Sequence, residues 1–466
     1  MLSYLNRAIE TSPNREGSLA AVSSIFHAAG LRSKLVLDTR NYFVSKIVPG
    51  LMGLLTVMVF VRLVGYEQYG RYAILMAVVT ACATAASGWL NQGILRFHSQ
   101  HAGTHHEHTF TRGSRLGTLL SVAAGSIVVY AVVWHSSGRS GPAAVALALF
   151  VPMVLYTVEL TRLQASLRSA TVVGVESMRA IVGFLIPLGL VAVTRSKNYL
   201  LLLAGVGIGY LITLTTKRGD KAHPAAETGR STIFGESERY ALGRIWNYGW
   251  PVALWLACQS CLVVSDRYFI QRFRGYADAG VYASIYDVIV RSFSLVFAPV
   301  TLSVHSILMH RWNCGERRGT MGTLRKAMLC ELLLFLPAPV ALFFLNARVA
   351  HLILGAANVD AARALLPLAL GGFLWQLALL AHKPLEMLCR TRRMLAGIIA
   401  ALTLNVLGNC FLVPRFGFLA AAYLSAATAG LYLLLLTVLT PADEFAAASR
   451  ATEREPGMRM EEEVTA

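Results

Sequence analysis

Twelve runs of about 20 mostly apolar residues, separated by short polar segments, leave this chain few ways to fold. They lie near 43–64, 73–95, 114–134, 142–162, 171–193 and 198–216, then near 245–268, 280–309, 324–345, 362–383, 393–413 and 417–440. A run of that length crosses a bilayer as an α-helix, which satisfies every backbone N–H and C=O within its own segment. With 55% of residues hydrophobic and 14% charged, an ordinary soluble fold is excluded. The expectation is an all-α, polytopic membrane protein with about 12 transmembrane helices. The net charge of +17 would suggest nucleic acid in a soluble chain. Here the basic residues cluster at the ends of the apolar runs, where they act as topology signals, and no nucleic-acid partner is expected.

The runs divide six and six. Residues 1–42 read as a cytoplasmic amino-terminal segment, polar to weakly amphipathic and suited to an interfacial helix, with a broken apolar stretch from Leu19 to Leu31 and no cleaved signal peptide. Residues 43–216 form the first six-helix bundle and 245–440 the second. Between them, 217–244 is a cytoplasmic linker punctuated by Gly219, Pro224, Gly229 and Gly235, and 441–466 is an acidic, disordered cytoplasmic tail. Taking alternate loops as one side, that side carries about twice as many Lys and Arg, which places both termini in the cytoplasm. An even number of spans per half then makes the two bundles parallel repeats about an axis along the membrane normal.

A repeated turn supports the duplication. Arg62–Tyr72 reads R-L-V-G-Y-E-Q-Y-G-R-Y, and Arg272–Tyr282 reads R-F-R-G-Y-A-D-A-G-V-Y. Arg62, Gly65, Tyr66, Gly70 and Tyr72 thus recur as Arg272, Gly275, Tyr276, Gly280 and Tyr282, each set opening the second span of its half. The glycines permit a tight reversal, and the tyrosines suit a headgroup layer.

Ionisable residues inside spans carry the functional signal, because each costs about 2.5–3.5 kcal/mol at a helix centre on insertion scales. Arg179 lies ~14 Å into the fifth span and Arg291 ~16 Å into the eighth, near the midplane, one in each half. Glu176 precedes Arg179 by three residues and Asp287 precedes Arg291 by four, so each arginine has a carboxylate on its helix face. These pairs either neutralise one another for burial or hold guanidinium groups that receive phosphate oxygens. Lys46 and Arg96, at the ends of the first and second spans, either snorkel to headgroups or form the entrance to a substrate cavity between the halves. Asp266, beside Arg267, Glu159, and Glu331, with no basic neighbour closer than Lys326, are further candidates, Glu331 for titration.

Other features are weaker. His98, His101, His105, His106 and His108 lack ordered metal-ligand spacing, and no metal or cofactor is expected. Cys258 and Cys261 read as packing residues, as do Gly205, Gly207 and Gly209. Pro49, Pro187, Pro251, Pro299, Pro337 and Pro339 would bend their helices.

The run Arg62–Tyr72, with the span ending Gly93-Ile-Leu-Arg96-Phe97 and the later Asp266-Arg267-Tyr268-Phe269-Ile270 and Gly280-Val-Tyr282, resembles the bacterial polysaccharide-repeat-unit flippases of the Wzx type. The resemblance implies the fold shared by multidrug antiporters and lipid II flippases. It also implies a flippase, not an enzyme, that carries an undecaprenyl-diphosphate-linked oligosaccharide across the bacterial inner membrane, beside a polysaccharide polymerase and export machinery. A cationic cavity is part of that expectation. A cation-coupled drug or metabolite antiporter of the same fold is the alternative, although Phe43–Val64 holds Lys46 and no carboxylate. A polymerase or ligase would need a large outer loop, and the longest here runs only from Asn346 to Ala361.

Overall fold

A computed structural model of the chain describes residues 46–101, 107–166, 168–216, 236–313, 317–356, 358–388 and 390–440. The expected interfacial helix within 1–42, linker residues 217–235 and the acidic tail lie outside them. Among the described residues twelve helical spans are long and apolar enough to cross a membrane, and they match the twelve apolar runs. The first half comprises α1 (Lys46–Val64), α2 (Tyr66–His101), α3 (Glu107–Ser137), α4 (Ser140–Ala165), α5 (Ser169–Thr194) and α6 (Tyr199–Thr216). The second comprises α7 (Glu236–Arg274), α8 (Tyr276–Asn313), α9 (Arg317–Phe335) with α10 (Pro337–Leu354), α11 (Val359–Ala381) with the short α12 (Lys383–Met387), α13 (Thr391–Phe416) and α14 (Phe418–Leu439). Helix α7 starts at Glu236, well before the expected 245, because its polar first turns remain helical beyond the apolar window. Pro337 at the start of α10 breaks the ninth span in two.

The twin turns are built alike. Gly65 and Gly275 adopt left-handed φ angles of 82° and 92°, which only glycine reaches without steric cost. Each closes the preceding helix through its N–H, Gly65 to Val61 O and Gly275 to Gln271 O, both at 3.0 Å. Each also opens the next helix as an acceptor, Tyr69 N to Gly65 O at 3.0 Å and Ala279 N to Gly275 O at 3.3 Å. One residue therefore reverses the chain between spans.

The turns also meet across the interface between halves. A Cβ at Gly70 would overlap the Tyr276 carbonyl oxygen and sit 2.9 Å from Gly280 N, and a Cβ at Gly280 would overlap the Tyr66 carbonyl oxygen and sit 2.9 Å from Gly70 N. The reciprocal contact is that of two repeats related by a pseudo-two-fold axis. Arg71 caps it by lying over the Tyr276 ring, 4.1 Å from the centroid. Arg62 Nη2 donates to Leu352 O, and in the other half Arg274, rather than the aligned Arg272, donates to Pro414 O at 3.0 Å and Arg415 O at 3.1 Å. This end, called the turn end below, is sealed. At the other end, the linker end, α2 lies along α7, and a Cβ at Gly249 would come within 2.7 Å of the Trp89 carbonyl carbon.

Tyr72 and Tyr282 do not sit in a headgroup layer. They are 8% and 1% exposed, inside the bundle, because a helix that starts at residue 66 or 276 turns the seventh position inward. The largest buried cluster joins both halves, through Phe60, Tyr69, Tyr282 and Ile285 toward the turn end, and extends along α8 to Phe297. A separate cluster in the second half centres on Trp255, whose Nε1 donates to Tyr432 Oη at 2.8 Å. Large apolar side chains such as Ile127, Val193, Phe343 and Val438 point outward, as a lipid-facing belt requires. With lipid as apolar as the core, helix contact rests on packing. Gly205 shows this: a Cβ there would lie 2.6 Å from Pro187 Cα, so α6 seats directly on the proline of α5, the close-packing role expected of it.

The basic-residue bias of the sequence predicts that the linker end faces the cytoplasm. Reporter fusions at Arg139 and Arg415 are expected to read outside, and those at His106, Gly229 and Arg318 inside. An inside signal at Arg139 with an outside signal at Gly229 would reverse the orientation.

Candidate functional site

A cavity of about 370 Å³ lies between α1, α2, α5, α6 and α8, and it collects Lys46, Glu176, Arg179 and Arg291. The spacing of Glu176 and Arg179 puts both on one face of α5, where Arg179 Nη2 donates to Glu176 Oε2 at 3.1 Å. Lys46, from the start of α1, brings Nζ to 3.8 Å from Glu176 Oε1. The Arg179 guanidinium sits between the rings of Tyr156 and Tyr210, 5.6 and 5.7 Å from their centroids. Neither tyrosine stands out in the sequence, since an aromatic residue in an apolar span is ordinary core.

Arg291 enters from the other half. Its guanidinium lies against α1 at Gly53, where a Cβ would come within 2.9 Å of Arg291 Cζ. It has no hydrogen-bond or ion-pair partner among the described residues. The cavity thus sets three cations against one carboxylate, in a site wet enough to leave the Lys46 side chain 48% and that of Arg179 27% exposed. Such an excess of positive charge, partly withdrawn from water, is matched by an anionic ligand with several oxygens, which Arg receives in bidentate fashion.

Two sequence expectations change here. Asp287 does not pair with Arg291: it pairs with Arg267 Nη2, and Arg267 Nη1 donates to Ala73 O at 3.0 Å. The four-residue spacing on α8 considers one helix alone. In the bundle Arg267 is only 4% exposed and takes the nearest carboxylate, because a buried charge without a partner costs more than a half-exposed one. Arg96 is exposed near the linker end of α2, its guanidinium 6.0 Å from the Tyr248 ring centroid, and does not reach the cavity.

The second half holds a different polar site. Asp266 is 3% exposed and accepts from Tyr282 Oη at 2.6 Å, Asn405 Nδ2 at 2.9 Å and Asn409 Nδ2 at 2.7 Å. It borders a cavity of about 270 Å³ together with Asp287, Asn405 and Thr428. Asn409 Oδ1 and Thr428 Oγ1 are buried without a hydrogen-bond partner. Asp266 among neutral side-chain oxygens, with Asp287 already held by Arg267, suits a proton or a small hard cation rather than a soft-ligand metal. Among the described residues no group of three or more His, Cys, Asp or Glu could hold a metal ion. Asn405, Asn409 and Thr428 escape a reading that follows charge, although the four-residue spacing of the asparagines is the signal that finds them.

The remaining candidates are dispersed. Glu331 is fully buried, accepts from Thr301 Oγ1 at 3.0 Å, and keeps Oε2 without a partner. Glu159 pairs with Arg162 at 3.6 Å. In the histidine-rich segment, His98 Nε2 lies 3.1 Å from Ser166 Oγ and His101 stacks on Phe110, while His105 and His106 lie outside the described residues.

No protein-family model matches the sequence, and no curated protein matches it by sequence. Solved structures do match. A multidrug resistance MATE family transporter of the MOP superfamily, in an inward-facing conformation, superposes with a TM-score of 0.66 at 11% identity, over 87% of this chain and 98% of that one. The lipid II flippase MurJ, in an inward closed conformation, does so with a TM-score of 0.63 at 14% identity, over 90% of both chains. The chain has their fold. An outward-facing MATE family transporter also superposes, with a TM-score of 0.58 at 12% identity over 88% of this chain and 97% of that one. Asp266 stands in the second half where Thr56, a cavity residue, stands in the first.

Proposed function

We propose that this protein moves a lipid-diphosphate-linked oligosaccharide, of the undecaprenyl type, across the bacterial cytoplasmic membrane by alternating access, for extracellular polysaccharide synthesis. The observation that carries the reading is the cavity with three cations and one carboxylate, in which Arg291 has no hydrogen-bond or ion-pair partner among the described residues. A diphosphate and its sugars otherwise face about 30 Å of hydrocarbon. Arg179 and Arg291 exchange phosphate hydration for guanidinium hydrogen bonds, Glu176 orients Arg179, and Lys46 stands at the mouth. The two arginines come from opposite halves, so a phosphate held between them couples binding to the relative position of the bundles. Both termini are cytoplasmic in this scheme, and the product passes to a polymerase and export machinery.

Asp266 is the coupling residue, with Glu331 as a second buried carboxyl and the Arg267–Asp287 pair as a latch to α2. Each positive charge that enters with the membrane potential contributes about 2.3 kcal/mol per 100 mV. The Asp266 cluster also favours a second reading, a cation-coupled drug or metabolite antiporter, since such a site serves either cargo.

The test reconstitutes purified protein in liposomes with a fluorescent lipid-linked oligosaccharide and scores its leaflet with an impermeant quencher. Wild type is expected to move it, faster under an imposed proton or sodium gradient, and Asp266→Asn is expected to lose that acceleration. Immobile oligosaccharide, with efflux of a cationic drug from the same vesicles, would establish the antiporter instead.

A further inference from the structure

A third, larger cavity of about 820 Å³ is cut into the side of the molecule between α2 and α3 of the first half and α7 of the second. Small side chains leave the space: Ala81 and Ala85 on α2, Ala124 on α3, Gly243 and Ala257 on α7. It opens laterally, since Leu120, Val128 and Trp246 on its rim are half exposed. Its walls are nearly all carbon. The exceptions are Arg239, exposed at the linker end, with no hydrogen-bond or ion-pair partner among the described residues, the thiols of Cys82 and Cys261, and Ser121. Ser121 is 4% exposed, and its Oγ has no hydrogen-bond partner.

These features narrow the occupant. Apolar walls exclude a sugar or a hydrated ion. From Ala81 to Trp89 the cleft follows α2 for ~12 Å. A flexible hydrocarbon chain fits. Arg239, exposed at the end where basic residues concentrate and beside the interfacial ring of Trp246, calls for an anionic headgroup. The chain of a transported lipid is a poor match, because the cleft lies across α2 from the cationic cavity. Tyr72 and Ala81 are nine positions apart, about 180° round the helix.

We propose that this cleft binds an acyl chain of an anionic membrane phospholipid, with the headgroup phosphate on Arg239, in the leaflet at the linker end. The inference does not depend on what the protein transports. Because the walls come from both halves, the bound lipid bridges them and favours the arrangement in which α2, α3 and α7 are together.

The test uses the full-length protein in detergent, with phosphatidylglycerol and phosphatidylcholine of identical chains as probes, read by native mass spectrometry and by maleimide labelling resolved to individual cysteines. Wild type is expected to retain phosphatidylglycerol about fivefold better than phosphatidylcholine. That lipid should slow labelling of Cys82 and Cys261, which face the cleft, and leave Cys410, exposed on α13, unchanged. Arg239→Gln should erase the preference between lipids, and Ala124→Trp should abolish retention of both. Arg239 and Ala124 are exposed, so an unchanged lipid-free melting temperature verifies that the variants fold. Equal retention of both lipids by wild type, unaltered preference in Arg239→Gln, or displacement of phosphatidylglycerol by a polyprenyl phosphate would each overturn the assignment.

Discussion

Replacing Gly70 or Gly280 by alanine is expected to spring the turn end open, and by valine to hold it open. At either position the new Cβ falls inside the van der Waals radius of a backbone carbonyl, Tyr276 O for one and Tyr66 O for the other, and a carbonyl fixed within a helix cannot rotate away as a side-chain tip would. Overpacking of this kind costs about 1–3 kcal/mol in a core that can adjust. Each 1.4 kcal/mol is about tenfold in the ratio of closed to open forms. Opening the turn end separates the two motifs and removes the clash without disturbing either half, so the penalty falls on the closed form alone. The readout is a distance distribution between spin labels at positions 139 and 360, exposed on opposite halves at the turn end, with transport measured in parallel. The expected result is a longer distance and loss of transport, because a protein that cannot close one end cannot alternate. Gly65→Ala is the contrast: nothing lies within 4 Å of a Cβ there, and its cost is the left-handed φ of a turn present in both forms. An unchanged distance in Gly70→Val would remove the twin contact from any gating role.

The spans are legible in the sequence because hydropathy is local, and a window of apolar residues needs no knowledge of its neighbours to be read as helix. The turn motifs are legible for the same reason, and Gly65 and Gly275 do reverse the chain. That Gly70 and Gly280 touch is not legible, since it depends on a symmetry axis between segments far apart in the chain. The cationic cavity is intermediate. Depth along two separate helices picks out Arg179 and Arg291, and the fold brings both to one cavity with Lys46 and Glu176. Pairing rules for one helix then assign Asp287 to Arg291, where the bundle assigns it to Arg267. A reading that weighs charges also passes over Asn405, Asn409 and Thr428, whose interest arises only when Asp266 is placed among them.

That reassignment leads to opposite expectations for two arginines on neighbouring helices. Arg291→Ala should leave the melting temperature of the purified protein close to wild type, because among the described residues Arg291 has no ion-pair partner to strand and its removal relieves an excess of positive charge beside Lys46 and Arg179. Transport of an anionic lipid should nonetheless fall by an order of magnitude or more, as one of two bidentate phosphate ligands is lost, at ~1.5–3 kcal/mol for a charged hydrogen bond. Arg267→Ala should do the reverse damage. It leaves Asp287 without its partner beside the buried Asp266 and removes the donor to Ala73 O, and breaking a buried pair from one side costs about 3–5 kcal/mol. The protein should melt well below wild type, and the double variant Arg267→Ala, Asp287→Ala should recover part of the loss, since the stranded charge goes with its partner. Thermal unfolding in detergent, with the liposome assay on whatever remains folded, separates the two. If Arg291→Ala melted early and Arg267→Ala did not, Arg291 would be the structural cation and the cavity would lose the group that marks it as a phosphate site. If both melted as wild type and both transported, neither the latch nor the cavity would have the role assigned to it.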